Sequence, residues 1–163
     1  MKVVYRPIGT VRSPFSEAAG MPIQPSRGRG IHGTVELEAE FAEGLQDLDG
    51  FSHAVLLCHL HRSRGFALKV VPFLDDMPRG VFATRAPRRP NPIGMSVVRI
   101  LSVGGNRVNF EGVDLIDGTP VLDIKPYVPE LVEQEEVRLG WLEEARRRGA
   151  VSDDRFAKNE DGG

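Results

Sequence analysis

The sequence predicts a mainly β chain: a single-domain β-barrel followed by one C-terminal helix and a disordered tail. Three observations carry this. Short segments rich in β-branched and apolar residues follow one another along most of the chain. They are split by Gly, Asn and Pro rather than by helical stretches, which favours a closed or nearly closed barrel over βαβ units. The stretch with the clearest helical character comes late, in ELVEQEEVRLGWLEEARRRG. The barrel is expected over residues 1–129, a helix packing on it over 130–149, and the tail over 150–163.

VVYRPIGTVRS reads as the first strand, closed by Ser13-Pro14. PFSEAAGMPIQPSRGRG is loop by its Gly, Pro and Ser and its lack of period. IHGTVELE alternates as a strand should, and FAEGLQDLDG holds a single helical turn. FSHAVLLCHLHR is nearly continuous in apolar residues, so it is expected as a central strand. ALKVVPFL, GVFATR, IGMSVVRILSV, RVNFEGVDLI and TPVLDIKPYVP are expected as further strands. The final helix has an acidic first half and a basic last turn, which suits the helix dipole. Gly140 weakens its middle by about 1 kcal/mol. VSDDRFAKNEDGG is too polar to pay for ordering.

At 163 residues and 40% hydrophobic content, the chain supports one domain with a real core. A net charge of −2 excludes a generally basic nucleic-acid coat and leaves room for a local basic patch. The one cysteine, Cys58, lies within HAVLLCHL and reads as a small buried hydrophobe. No apolar run is long enough to span a bilayer, and MKVVYRPIG lacks the pattern of a secretion signal. A cytoplasmic location is expected.

Two motifs suggest other chemistry and are denied by their context. Gly28, Gly30 and Gly33 spell G-x-G-x-x-G, but loop precedes them and a strand follows, whereas a dinucleotide site needs strand before and helix after. His53, His59 and His61 share one parity on their strand. A metal-dependent barrel enzyme would add a carboxylate nearby, and the following RSRGF is cationic instead. No metal is expected. His61, at the strand's mouth, is the functional candidate of the three.

Chemistry concentrates in three loops. TRAPRRPNPIGMS sets Arg85, Arg88 and Arg89 among prolines on a stiff backbone. DLIDGTPVLDIKPYVP carries Asp114, Asp117 and Asp123, with a turn at Gly118-Thr119-Pro120. MPIQP sets Gln24 beside proline. Together they offer cations, carboxylates and an amide, the groups a zwitterionic nucleoside ligand would use. Each has a plainer reading: Asp117-Gly118 as ordinary hairpin chemistry, Gln24 in an idle surface loop, Arg88 and Arg89 as a solvated pair.

GVFATRAPRRPNPIGMS followed by DLIDGTPVLDIKPYVP resembles the TrmO-like tRNA methyltransferase family, and IGTVRSPF and LDGFSHAVLLCHLH match it too. The resemblance covers residues 5 to 129. It implies an S-adenosylmethionine-dependent enzyme on a β-barrel, which methylates N6 of threonylcarbamoyladenosine beside the anticodon of tRNA, with its cofactor near a homodimer interface. Carried over by position, the cofactor contacts are Pro22, Ile23, Gln24, His61, Arg62, Arg85, Met95, Ile116, Asp117, Gly118 and Thr119. Ile23 departs from the family, which often has a basic residue there. Longer members also carry a C-terminal domain.

An activated methyl donor needs no metal, and in-line positioning carries most of the catalysis. N6 of the modified base is a poor nucleophile, so a general base is expected among Asp117, Asp123 and His61. Lys125 and Tyr127 are candidates for orienting the base, and Arg88 and Arg89 for holding anticodon-stem phosphates. Lys125 and Tyr127 also read simply as strand residues. The alternatives are a non-catalytic RNA-binding barrel and, behind it, the metal-dependent enzyme. The low aromatic content, 7%, argues against a single-strand stacking platform.

Overall fold

The computed structural model describes residues 1–22, 30–129 and 138–145. Six antiparallel strands close a barrel in the order β1-β2-β7-β6-β3-β8. They are β1 (Gly9–Arg12), β2 (His32–Leu37), β3 (His53–His59), β6 (Ile93–Gly104), β7 (Arg107–Glu111) and β8 (Pro120–Pro126). β4 (Lys69–Val70) and β5 (Arg79–Gly80) form a separate two-stranded ribbon.

Period-2 alternation sorts each barrel strand into an inner and an outer face. On β3, Ala54, Leu56 and Cys58 point inward and are fully buried, while His53, Val55, Leu57 and His59 alternate with them. Val11, Val35, Val98, Val108, Phe110 and Val121 fill the rest of the interior. β3 is central as expected, hydrogen-bonded to β6 on one side and β8 on the other. Closure needs glycine at two places. A Cβ on Gly9 would lie 2.3 Å from the Glu36 carbonyl oxygen, and one on Gly33 would lie 2.8 Å from the Phe110 ring. Gly33 is therefore a β2 packing residue, and Gly30 turns into that strand at φ +79°.

The expected strands shrink where their partners end. The first strand keeps only Gly9–Arg12; Val3, Val4 and Tyr5 are exposed. ALKVVPFL keeps two residues as β4. GVFATR is a 3-10 turn, Val81–Ala83, rather than a strand. FAEGLQDLDG forms two 3-10 segments, Ala39–Leu45 and Leu48–Gly50. In the described part of the C-terminal region, α1 (Leu142–Ala145) starts just after Gly140, whose φ of +55° ends any helix running through it. Residues 130–137, 146–149 and the expected tail lie outside the described residues.

Residues 60–92 leave the barrel after β3 and return to it at β6. They carry their own small core of Val70, Val81 and Ala86, with Ala67 and Phe73 packed on it. This excursion stands over one end of the barrel.

Candidate functional site

A cavity of about 880 Å³ opens between that barrel end and the excursion. Its walls come from six places: the β1–β2 connection, the end of β3, the stretch 72–74 of the excursion, the arginine-proline loop with the start of β6, the β7–β8 connection, and the C-terminal segment. The sequence keeps these apart by up to 120 residues or so; the closed barrel gathers them at one rim.

The β7–β8 connection is fixed by hydrogen bonds rather than by packing alone. Asp117 Oδ1 accepts from the Ser13 backbone N–H at 3.0 Å, and the Asp117 N–H donates to the Phe15 carbonyl at 2.7 Å. The Gly118 N–H donates to the Val11 carbonyl at 2.9 Å, and its φ of +79° is one that glycine adopts without strain. Thr119 is buried and its Oγ1 donates to the Ile116 carbonyl at 2.6 Å. Ile116 and Thr119 line the cavity; Asp117 and Gly118 tie the turn to β1 instead.

The arginine-proline loop is braced in the same way. Arg85 Nη2 donates to the Met95 carbonyl, which ties the loop to β6. Arg89 Nη1 donates to the carbonyls of Thr84 and Ala86 at 3.2 and 3.3 Å. Ser63 Oγ donates to the Pro87 carbonyl at 2.9 Å, joining the loop to the start of the excursion. Arg85, Arg89 and Met95 line the cavity. The Nε of Arg88 is buried without a hydrogen-bond partner.

Two titratable groups on the wall are perturbed. Burial raises the Asp114 carboxyl to about 6, against the hydrogen bond from Ser96 Oγ at 2.7 Å and the nearby Arg85 charge, which both favour ionisation. His61 is lowered, first by burial and then by the charges of Arg62 and His59. At neutral pH, His61 therefore offers a free nitrogen lone pair and Asp114 a carboxylate. Cys58, whose thiol burial pushes to about 12, is inert core.

Of the residues expected at the site, Pro22, His61, Arg62, Arg85, Met95, Ile116 and Thr119 meet around one cavity, and Arg89 joins them. Ile23 and Gln24 lie outside the described residues. Asp123 does not line the cavity; it pairs with Lys125 at 2.8 Å on β8. Tyr127 is beyond β8, its ring 6.4 Å from that of His53. The three histidines of one parity do not gather: His53 bonds Ser52 through Nδ1 at 2.8 Å, and His61 has turned off the strand end. Sequence reasoning missed Ser96, Phe82 and Trp141, all on the wall. Ser96 follows Met95 on β6, and its alternation inward was a readable signal. Nothing local marked Phe82 or Trp141.

Among the described residues, no helix is long and apolar enough to cross a membrane. Residues 10–132 match the model of the tRNA-methyltransferase O N-terminal domain. The chain is 53% identical over 143 residues to a probable S-adenosyl-L-methionine-binding protein of Pyrococcus abyssi, covering 88% of this chain and 78% of that one. It is 38% identical to the tRNA (adenine(37)-N6)-methyltransferase of Escherichia coli, over 77% of this chain and 57% of that protein. The crystal structure of TrmO from Pseudomonas aeruginosa superposes with a TM-score of 0.73 at 41% identity, covering 86% of this chain and 63% of that one. The barrel, the rim motifs and these likenesses agree: the chain belongs to the tRNA-methyltransferase O N-terminal domain family.

Proposed function

We propose that the protein is an S-adenosylmethionine-dependent tRNA methyltransferase acting on N6 of threonylcarbamoyladenosine at position 37. The observation that carries this is the single cavity into which the arginine-proline loop and the aspartate-glycine connection both project residues. Relatives described as S-adenosyl-L-methionine-binding proteins and as tRNA (adenine(37)-N6)-methyltransferases support it.

The cavity suits the cofactor by size and by donor set. About 880 Å³ falls in the range of small-molecule sites. Arg85 and Arg62 provide cations for a carboxylate, Asp114 an anion for an ammonium, and Leu60, Met95 and Ile116 apolar surface for the nucleoside. When bound, the cofactor supplies an activated methyl group. The chain's part is to hold and orient. The loop carrying Arg85 is braced at Met95, so little order is left to impose on binding. We assign the N6 proton to His61, the one of the three expected general bases that lines the cavity, in the neutral form its lowered pKa provides. Asp117 and Asp123 already hold Ser13 and Lys125. The acceptor adenosine has to leave its stack to reach the cavity, and Arg88 is the candidate contact to the anticodon-stem phosphates.

A second copy of the chain is the expected partner. Paired residues on β6, β3 and β8 set Met95, Val97, Leu57 and Val55 in adjacent rows on the outer sheet face, beside the cavity. Met95 is 51% exposed and Ile93 42%, apolar surface that a partner would cover. A tRNA substrate supports a cytoplasmic location as part of this reading. The deciding experiment is methyl transfer from labelled cofactor to tRNA with and without the threonylcarbamoyl group. Transfer to the modified tRNA alone sustains the proposal. Transfer to neither, with no calorimetric binding of the cofactor, overturns it.

A further inference from the structure

The described part of the C-terminal segment lines the cavity with an aromatic ring. Trp141 is the only tryptophan in the chain. It lines the cavity together with Leu142. Its Nε1–H donates to the Ala83 carbonyl at 2.9 Å. The Arg79 guanidinium sits over its ring at 5.6 Å. Arg79 is held in turn by Asp75, Nε to Oδ2 at 2.7 Å, and Asp75 also accepts the backbone N–H groups of Asp76 and Met77.

This chain of contacts fixes the indole from two directions. Nε1 is the side chain's only polar atom, and Ala83 satisfies it. What Trp141 presents to the cavity is therefore carbon surface. Beside Ala83, Phe82 also lines the cavity and is 75% exposed, an aromatic ring with little protein packed on it. A pre-positioned indole lining the same cavity as an exposed phenyl ring, with an anionic and a cationic group also on its wall, is built to take a flat aromatic heterocycle. A guanidinium over one face of an indole holds the ring without competing for the rest of its surface.

We infer that Trp141 is a stacking surface for a purine ring bound in the cavity, with Phe82 as a second aromatic group on its wall. The inference rests on the methyl-transfer reading of the cavity. It goes beyond it by assigning purine recognition to the segment after the barrel. The purine has two possible sources, the adenosyl group of the cofactor and the acceptor adenosine of the RNA. The experiment separates them.

The lone tryptophan is its own probe. Its emission is followed while the full chain is titrated with S-adenosylhomocysteine and, separately, with a modified anticodon stem-loop. Binding is measured in parallel by calorimetry. Trp141→Phe and Trp141→Leu are carried through the same calorimetry and through thermal unfolding. The expected result is a saturable change in emission with one of the two ligands, at the midpoint calorimetry gives. Affinity for that same ligand falls about tenfold in Trp141→Leu and is largely kept in Trp141→Phe, because only the latter retains a π-face. Emission moving with S-adenosylhomocysteine assigns the stack to the cofactor; emission moving with the stem-loop alone assigns it to the acceptor. Calorimetric binding with unmoved emission and unaltered Trp141→Leu affinity overturns the inference while leaving the enzyme reading intact. Equal losses in both variants, with lowered unfolding temperatures, also overturn it in favour of simple packing. No calorimetric binding of either ligand overturns both readings.

Discussion

Asp117 Oδ1 accepts a hydrogen bond from the backbone N–H of Ser13, 104 residues away in the chain, at 3.0 Å. Two segments that match the family in sequence, the opening strand with its Ser-Pro end and the aspartate-glycine turn, are thus parts of one clamp. The clamp holds Ile116 and Thr119 at the cavity rim. The aspartate expected at the site from the sequence also carries this structural bond in the fold.

Asp117→Ala should destabilise the protein by about 1–3 kcal/mol, because the Ser13 N–H loses its acceptor in a partly buried place. Cofactor affinity should fall with it. Asp117→Asn keeps an acceptor oxygen and should recover much of both. Urea unfolding and calorimetry check this. Normal stability with an abolished turnover in Asp117→Asn would instead mark Asp117 as the proton acceptor.

Asp114 gives a pH signature. Its folded-state pKa of about 6 lies above the ordinary carboxyl value of 3.8, so the native state binds more protons than the unfolded state between those values. Its contribution is present below about pH 4 and is lost as pH rises through about 6. Asp114→Asn should therefore gain about 1–3 kcal/mol over the wild type between pH 4 and 7. Paired urea unfolding at several pH values reads this difference. The same variant should bind the cofactor less well, since the pocket loses its anion.

Glycine substitutions at two positions should separate fold from site. A Cβ on Gly9 meets backbone, the Glu36 carbonyl at 2.3 Å, whereas one on Gly94 meets only the end of the Leu60 side chain at 2.7 Å. Gly9→Ala should cost about 3 kcal/mol or more and disturb the β1–β2 pairing. Gly94→Ala should cost about 1 kcal/mol and push Leu60 toward the cavity, so its larger effect is on KM for the cofactor. Circular dichroism melts and steady-state kinetics distinguish the two.

Arg88 and Arg89, adjacent in sequence, should behave differently. Arg89 braces the loop through the Thr84 and Ala86 carbonyls, so Arg89→Ala should weaken cofactor binding. Arg88→Ala should leave cofactor binding near normal and weaken tRNA binding, reducing the slope of log affinity against log salt by about 1. Filter binding across a salt series measures the slope.

The barrel was legible because its strands carry period-2 or continuous apolar patterns. β3, β6 and β8 came out where the sequence put them. GVFATR and most of ALKVVPFL failed because β-branched content signals suitability for a sheet, and a strand also needs a partner edge. In the excursion there is only a two-residue ribbon. The rim motifs were legible through Arg85, His61 and Ile116, whose segments have unusual local composition. Trp141 was not, since its place on the wall comes from a tertiary bond to Ala83 that no local pattern announces.

β3 and β6 pair from His59↔Ile93 onward, so the hairpin they form is complete without residues 60–92. That excursion is an insertion between two strand ends that are already paired. Its anchor points are already brought together by the barrel, and a change in its length alters closure entropy only slowly. Heritable variation can therefore reshape the pocket's roof while the scaffold beneath stays the same. Chimeras exchanging residues 60–92 between relatives carry His61, Arg62 and Arg85 with them and read out the roof's share of ligand binding.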